Sequence, residues 1–199
     1  MSTLGAILLA GGRATRVDGA AKPLFDLGGR SLLARAVDAA TAAGADPILV
    51  AGPLLDETLP VRWLREDPPF TGPAAAVVAA LAGLPEDTPG WLLLLAADLA
   101  RPDLAVARLT ADLPLLPDDT EGLCLADASS RPQWLTGVYR TAALRRAAAS
   151  VPDAGRNAPV RALLDDLAIA VVAAPAAATA DVDTWEDLER ARHALEEDS

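Results

Sequence analysis

The feature that most constrains this fold is an apolar run near the start of the chain that stops at two glycines. The run covers residues 4–10, and Gly11 and Gly12 follow it. It is short, apolar and bounded by turn residues, which is typical of a buried strand. We therefore expect the chain to begin with a strand in the middle of its core.

Further apolar runs alternate with helical patterns along the first half of the chain. Predicted strands cover residues 47–51, 61–65 and 91–96, and predicted helices cover 32–43 and 74–81, with another helix opened by Pro102. Ser31 is a suitable N-cap for the first helix. Strands that alternate with helices predict parallel strands joined by helical crossovers on both faces of a sheet.

The second half continues the pattern with less regularity. Strands are predicted at residues 122–126, 134–139 and 168–173, and helices at 142–150, at 159–167 and from Trp185 onwards. No break in composition marks a second domain. We expect one domain over residues 1–199, an α/β three-layer sandwich with a mostly parallel sheet.

Composition excludes several classes of protein. The net charge of −11 and the absence of a long basic run argue against a nucleic-acid partner. A single cysteine, Cys124, excludes an internal disulfide framework and a Cys-rich zinc site. No apolar run reaches the roughly 18 residues that a membrane span needs. We expect a cytoplasmic protein that does not bind membranes.

The loop after the first strand has the chemistry of a phosphate site. Ligands of such sheets bind beyond the carboxyl ends of the strands, and glycines let backbone N–H groups approach a phosphate. Arg13, Arg16 and Lys22 add three cations, and Lys22 is the only lysine in the chain. A compact ammonium suits a phosphate in a tight site. The alternative is a solvated loop with incidental arginines.

Three acidic positions are candidates for a role beside that loop. Asp98 follows the most apolar strand, and Asp103 lies closer to the next helix start, so capping does not explain Asp98. A carboxylate there would suit Mg²⁺. Asp67 precedes the helix start at Gly72, and the alternative is a strand-end acid before a turn. Asp183 precedes the last helix and could cap it instead.

The opening motif resembles a known signature. Leu9-Ala10-Gly11-Gly12, then Arg16, then Lys22-Pro23-Leu24 is similar to the signature loop of nucleotidyltransferases that act on molybdopterin and on sugar phosphates. Later segments favour the molybdenum cofactor guanylyltransferases within that group. These segments are Arg131-Pro132-Gln133-Trp134, Gly137-Val138-Tyr139-Arg140 and Gly155-Arg156-Asn157.

The resemblance implies a Rossmann-like nucleotidyltransferase fold, and a reaction that transfers GMP from GTP to the terminal phosphate of molybdopterin or molybdenum-molybdopterin. It also implies that Asp98 binds Mg²⁺, with help from Asp183. Arg16 would face the acceptor phosphate or the triphosphate, and Arg156 the acceptor's phosphate. The residues expected to hold the nucleotide or lie near it are Leu9, Ala10, Gly11, Gly12, Lys22, Asp67 and Gly72.

Other functions stay open from the sequence. The chain could transfer a cytidylyl group to molybdopterin or a nucleotidyl group to a sugar phosphate. It could also be a non-catalytic protein that binds a nucleotide. In the enzyme, Cys124 and His193 lie away from the motifs, so we expect structural roles for both and no covalent intermediate. We expect a monomer or a weak homo-oligomer.

Overall fold

The computed structural model describes residues 3–11, 21–85 and 87–197, and within them a seven-stranded sheet forms the centre of the molecule. The strands are β1 (Leu4–Leu9), β2 (Ile48–Ala51), β3 (Arg62–Leu64), β4 (Trp91–Ala96), β5 (Gly122–Ala126), β6 (Pro132–Arg140) and β7 (Ile169–Ala173). Their order across the sheet is β3-β2-β1-β4-β6-β5-β7.

The sheet is mostly parallel, as predicted, with one strand reversed. β3, β2, β1 and β4 pair in parallel, and β5 pairs in parallel with β7. β6 is antiparallel to both of its neighbours, β4 and β5. The sheet is therefore mixed, and the six strands other than β6 run in the same direction and end at the edge where the opening loop begins.

Helices cover both faces of this sheet. The helices are α1 (Leu32–Ala42), α2 (Pro73–Ala82), α3 (Pro102–Asp112), α4 (Thr141–Ser150), α5 (Arg161–Leu164) and α6 (Trp185–Glu197). One apolar cluster joins α1 and α3 to the sheet, and a second joins α2, α4 and α5 to the opposite face. Layers of helix, sheet and helix give the expected three-layer sandwich.

The side chains of β1 explain why this strand is apolar throughout. Ala6 and Leu8 point into the cluster beneath α1 and α3, whereas Ile7 and Leu9 point into the cluster beneath α2. Successive strand residues face opposite sides, so a strand in the middle of three layers needs apolar residues at every position. Each fully buried Leu or Ile contributes about 1.5–3 kcal/mol.

Local signals also set the first helix and one buried aromatic. The Ser31 hydroxyl accepts a hydrogen bond from the Ala34 N–H at 3.1 Å, which confirms the predicted N-cap. Tyr139 of β6 is buried, and its hydroxyl donates to the carbonyl of Trp134 in the same strand at 2.8 Å. A Cβ on Gly137 would lie 2.6 Å from that hydroxyl, so only glycine leaves room for the ring.

One predicted element is shorter than expected. The segment 159–167 was expected to be a helix, but only Arg161–Leu164 is helical. Just before it, Asp153, Ala154 and Asn157 all have positive φ. This left-handed turn packs on the start of α2, where the N–H of Asn157 donates to the Thr71 carbonyl. After Leu164 the chain turns towards β7, where the Glu121 N–H donates to the Ala168 carbonyl at 2.7 Å. Packing at both ends of the segment therefore takes precedence over the local helical pattern.

None of the helices in the described ranges combines the length and apolar character needed to cross a membrane.

Candidate active site

The site begins where β1 ends. Backbone from the neighbouring strand supports this end, because the Ala10 N–H donates to the Ala51 carbonyl at 3.0 Å. A Cβ on Gly52 would lie 2.9 Å from the Ala10 carbonyl carbon, so glycine is required for the two segments to approach. Gly11 is exposed beyond that point. Gly12 and Arg16, both predicted site residues, lie outside the described residues.

Lys22 stands on a short 3₁₀ turn, Lys22–Leu24, that closes the opening loop. Pro23 suits the start of such a turn, and the Phe25 N–H donates to the Lys22 carbonyl at 2.9 Å. The Phe25 ring stacks on Trp185 with centroids 4.5 Å apart. The turn that carries Lys22 is therefore attached to α6, at the far end of the chain.

Asp98 follows β4 and is positioned by a pairing of backbone segments. The N–H of Val182 donates to the Asp98 carbonyl at 2.9 Å, and the N–H of Ala100 donates to the Ala180 carbonyl at 2.9 Å. This antiparallel pairing places the segment before α6 alongside Asp98. α3 begins after Arg101 without a side-chain cap, so the Asp98 carboxylate is not used for capping.

The cap of α6 positions Asp183 close to Asp98. The Asp187 carboxylate accepts the backbone N–H groups of Asp183 and Thr184 at 3.1 and 2.8 Å. In return, the Thr184 hydroxyl accepts the Asp187 N–H at 3.2 Å, which completes a capping box. Thr184 and Asp187 therefore cap the helix. The Asp183 side chain faces Lys22 instead, and its Oδ1 lies 2.5 Å from Lys22 Nζ.

The charges of this group act on one another. Burial raises the pKa of Asp98, nearby Lys22 opposes the rise, and Asp183 adds to it. Desolvation by the surrounding protein, with Asp98 and Asp183 close by, raises the pKa of Asp181 to about 7. Asp181 keeps an exposed surface, so water screens part of that effect. Asp183 thus contacts the ammonium of Lys22, and that ammonium also opposes the rise in the pKa of Asp98 and Asp181.

Asp181 is a member of this group that the sequence analysis did not assign. Its spacing from Asp183 could have indicated this. Residues two apart in an extended segment point to the same side, and Asp181 and Asp183 have that spacing. What the sequence did not show is that the whole segment lies along Asp98.

The donor set suits a hard divalent cation held partly by substrate. Among residues 3–11, 21–85 and 87–197, no group of three or more His, Cys, Asp or Glu side chains is arranged to hold a metal. Mg²⁺ usually takes one or two carboxylates, keeps several waters and binds substrate phosphates. The carboxylates of Asp98 and Asp183 beside Lys22 have the chemistry for that kind of site.

A second group of predicted residues lies at the start of α2. Arg156 donates from Nη2 to the Asp67 carbonyl at 3.2 Å, so these two residues meet although 89 positions separate them. Gly72 precedes α2 with a φ of 104°, a conformation that favours glycine. Its α-carbon is closely covered by backbone, because a Cβ there would lie 3.3 Å from the Ala158 carbonyl oxygen.

A cavity connects the opening loop to this second group. Its volume is about 290 Å³, and we call it the strand-end cavity. It is lined by Leu9, Gly11, Glu66, Phe70, Gly72, Pro73 and Ala76. Three predicted nucleotide-site residues, Leu9, Gly11 and Gly72, thus share one concave surface. Two further lining residues, Glu66 and Phe70, were not singled out from the sequence.

Comparison of the sequence with known proteins points to one family. A family model described as a MobA-like NTP transferase domain matches residues 6–181. A probable molybdenum cofactor guanylyltransferase of Synechococcus elongatus is 39% identical over 147 residues, which cover 69% of this chain and 72% of that protein. A molybdenum cofactor guanylyltransferase of Rhodopseudomonas palustris is 37% identical over 124 residues, covering 57% and 50%.

Solved structures show the same fold at low identity. A nucleotidyl transferase from Methanothermobacter superposes with a TM-score of 0.72 at 19% identity, covering 99% of both chains. The molybdopterin-guanine dinucleotide biosynthesis protein A of Archaeoglobus fulgidus superposes with a TM-score of 0.67 at 17% identity, covering 97% of this chain and 99% of that one. The family model spans most of the chain, and this chain therefore belongs to the MobA-like NTP transferase family.

Proposed function

We propose that this protein is a guanylyltransferase that transfers GMP from GTP to the terminal phosphate of molybdopterin or molybdenum-molybdopterin and releases pyrophosphate. The observation that carries the proposal is the ion pair of Lys22 with Asp183, which the backbone pairing of Val182 with Asp98 places beside the carboxyl end of β4. The curated relatives named above support the choice of guanine and of the acceptor.

The reaction forms one P–O bond and breaks another. An oxygen of the acceptor's terminal phosphate attacks the α-phosphorus of GTP, and the bond from that phosphorus to the bridging oxygen of the β-phosphate breaks. Pyrophosphate leaves with the electron pair. Such a transfer depends on positioning and on stabilising negative charge, and it needs no protein nucleophile. Cys124 is buried and His193 is paired with Glu196 on the surface of α6, which agrees with that mechanism.

Lys22 stabilises the triphosphate. Its ammonium has three N–H donors, so it can hold a phosphate oxygen while it keeps its contact with Asp183. Its side chain is only 15% exposed, and an ion pair with phosphate is stronger where water is largely excluded. Arg16 remains a proposed contact of the acceptor phosphate or the triphosphate.

Asp98 and Asp183 would hold Mg²⁺, which neutralises charge on the phosphates when it is bound. A Mycobacterium tuberculosis protein of the same fold, at 21% identity and a TM-score of 0.65, was solved in complex with manganese. For this chain the proposal rests on its own two carboxylates. Asp67 and Gly72 would lie near the nucleotide, and Arg156 near the acceptor's phosphate.

The decisive experiment measures pyrophosphate release with GTP, CTP, ATP and UTP, each with molybdopterin, with a sugar phosphate and without an acceptor. We expect release with GTP only when the acceptor and Mg²⁺ are present. Equal rates with all four nucleotides would contradict the choice of guanine. Activity only with a sugar phosphate would contradict the choice of acceptor, and nucleotide binding without turnover would indicate a sensor.

A further inference from the structure

Phe70 is an aromatic residue that the packing of the protein does not explain. It lines the strand-end cavity, yet the residue is 49% exposed. Within the described parts of the chain it belongs to none of the three apolar clusters. Large exposed apolar groups in a cavity wall are often binding groups.

The backbone of Phe70 is also strained. Its φ is 64°, in the left-handed region that bulky residues rarely adopt. Such a conformation costs free energy and persists only where neighbouring groups fix it, commonly at functional sites. The strain is therefore a second observation, independent of exposure, that sets Phe70 apart.

Two neighbours hold the residue in place. The Glu66 carboxylate accepts the Phe70 N–H at 2.8 Å through Oε1. The Arg65 guanidinium lies over the ring, with its central carbon 4.9 Å from the ring centroid. Arg65 thus covers one face of the ring, while the residue keeps an exposed surface in the wall of the cavity. A ring fixed on one side in a cavity wall is a preorganised stacking surface.

We propose that Phe70 is a stacking wall for the base of the bound nucleotide, and that Glu66 is the residue that positions it. This inference rests on the proposed function, because it assumes that a nucleoside triphosphate occupies the strand-end cavity. Bases stack on aromatic side chains with little regard to their identity. Phe70 therefore supplies affinity for the base, and the contact is made in the ground state and the transition state alike.

The first test is direct binding of GTP, with Mg²⁺ and without the acceptor, measured by calorimetry. We expect Phe70→Gly to weaken GTP binding about 10-fold, since loss of one stacking contact typically has that size. Phe70→Tyr keeps a ring and should restore binding. Leu115→Ala removes another exposed apolar side chain, outside the site, and serves as the matched control.

The stability of the same variant separates binding from folding. Glycine adopts a positive φ without the penalty that phenylalanine carries. We therefore expect Phe70→Gly to unfold at the same temperature as the parent protein, or at a higher one. If Phe70→Gly binds GTP as the parent does, or loses stability together with binding, the stacking role is overturned.

Variants of Glu66 test its positioning role. Glu66→Gln keeps an oxygen acceptor for the Phe70 N–H, whereas Glu66→Ala removes it. We expect Glu66→Ala to raise KM for GTP about 10-fold and to leave kcat unchanged, which is also the expectation for Phe70→Gly. Glu66→Gln should have the KM of the parent protein. If Glu66→Ala leaves KM unchanged, or Glu66→Gln is as impaired as Glu66→Ala, then Glu66 does not act by positioning Phe70.

The two proposals fail in different ways. A parent protein that binds GTP through Phe70 but releases no pyrophosphate with molybdopterin overturns the proposed reaction and supports the stacking wall. A parent protein that turns over GTP with no effect of Phe70→Gly on KM overturns the stacking wall alone. Absence of any nucleotide binding by the parent protein overturns both.

Discussion

The ammonium of Lys22 lies 2.5 Å from Oδ1 of Asp183, a residue 161 positions further along the chain. The fold thus brings the only lysine of the chain to a carboxylate that lies just before the first residue of α6. Asp98 and Asp181 share the electrostatic field of that ammonium.

Replacing Lys22 should cause a large loss of activity. We expect Lys22→Ala to lower the rate of pyrophosphate release about 10²–10³-fold, because a charge that stabilises the transition state is lost. Lys22→Arg should recover only part of the rate, since a planar guanidinium does not replace a compact ammonium. The control is Arg30→Ala, which removes an exposed partner of Asp38. A rate for Lys22→Ala within a few-fold of the parent would rule out this role.

The carboxylates should set the requirement for metal. We expect Asp98→Asn and Asp183→Asn to raise the Mg²⁺ concentration for half-maximal turnover about 10- to 100-fold or more, because an amide oxygen carries no charge. Asp165→Asn is the control, since Asp165 forms an exposed pair with Arg161. Chelation with EDTA should abolish turnover, and added Mg²⁺ should restore it. Unchanged metal dependence in both variants would remove Asp98 and Asp183 from the metal site.

The cap of α6 should contribute to stability. Asp187→Ala removes the acceptor of the Asp183 and Thr184 N–H groups, so we expect the free energy of unfolding to fall by about 0.5–2 kcal/mol. Urea denaturation measures this change. Glu189→Ala, two residues further along the helix, loses only an exposed pair with Arg192 and should change stability by less than about 0.5 kcal/mol. Equal effects of the two substitutions would contradict the capping role.

The buried thiol should be unreactive in the native protein. Burial raises the pKa of Cys124 to about 12, so the thiol stays protonated at ordinary pH and is shielded from reagents. We expect iodoacetamide at pH 8 to label Cys124 only in urea. Rapid labelling of the native protein would show that β5 opens readily.

The same thiol should make the free energy of unfolding fall as pH rises above 9. In the unfolded chain the thiol ionises near its ordinary pKa of 9.0, whereas in the folded protein it stays protonated. Above pH 9 the folded state therefore binds more protons, and stability falls as pH rises towards 12. We expect the loss of unfolding free energy between pH 8 and pH 10 to be smaller in Cys124→Ala than in the parent. Equal slopes would contradict the raised pKa.

Much of the fold follows from local sequence patterns. The apolar runs of β1 and β4 and the Ser31 cap of α1 were predicted, and the structure confirms them. These features depend on periodicity and on groups a few residues apart, which the sequence displays directly. The reversal of β6 and the short α5 did not follow from such patterns, because strand direction and the left-handed turn before α5 depend on packing against distant segments.

The residues of the candidate site also divide into those that local sequence patterns predict and those that depend on distant packing. The sequence identified Lys22, Asp98 and Asp183 by residue type and by position at the ends of predicted elements. It did not single out Asp181, Glu66 or Phe70, whose places beside the candidate site depend on what lies opposite them in the fold. Glu66, for example, is an ordinary strand-end acid until the chain turns and the Phe70 N–H meets its carboxylate.

By itself, the sequence determined which segments form strands and helices and which faces they bury, because those properties depend on near neighbours and on apolar periodicity. Only the tertiary structure decided that Asp183 is the carboxylate that meets Lys22. That contact depends on the stacking of Phe25 on Trp185 and on the backbone pairing of residues 98–100 with 180–182. Both link parts of the chain far apart in sequence, and they form only when the three layers pack together.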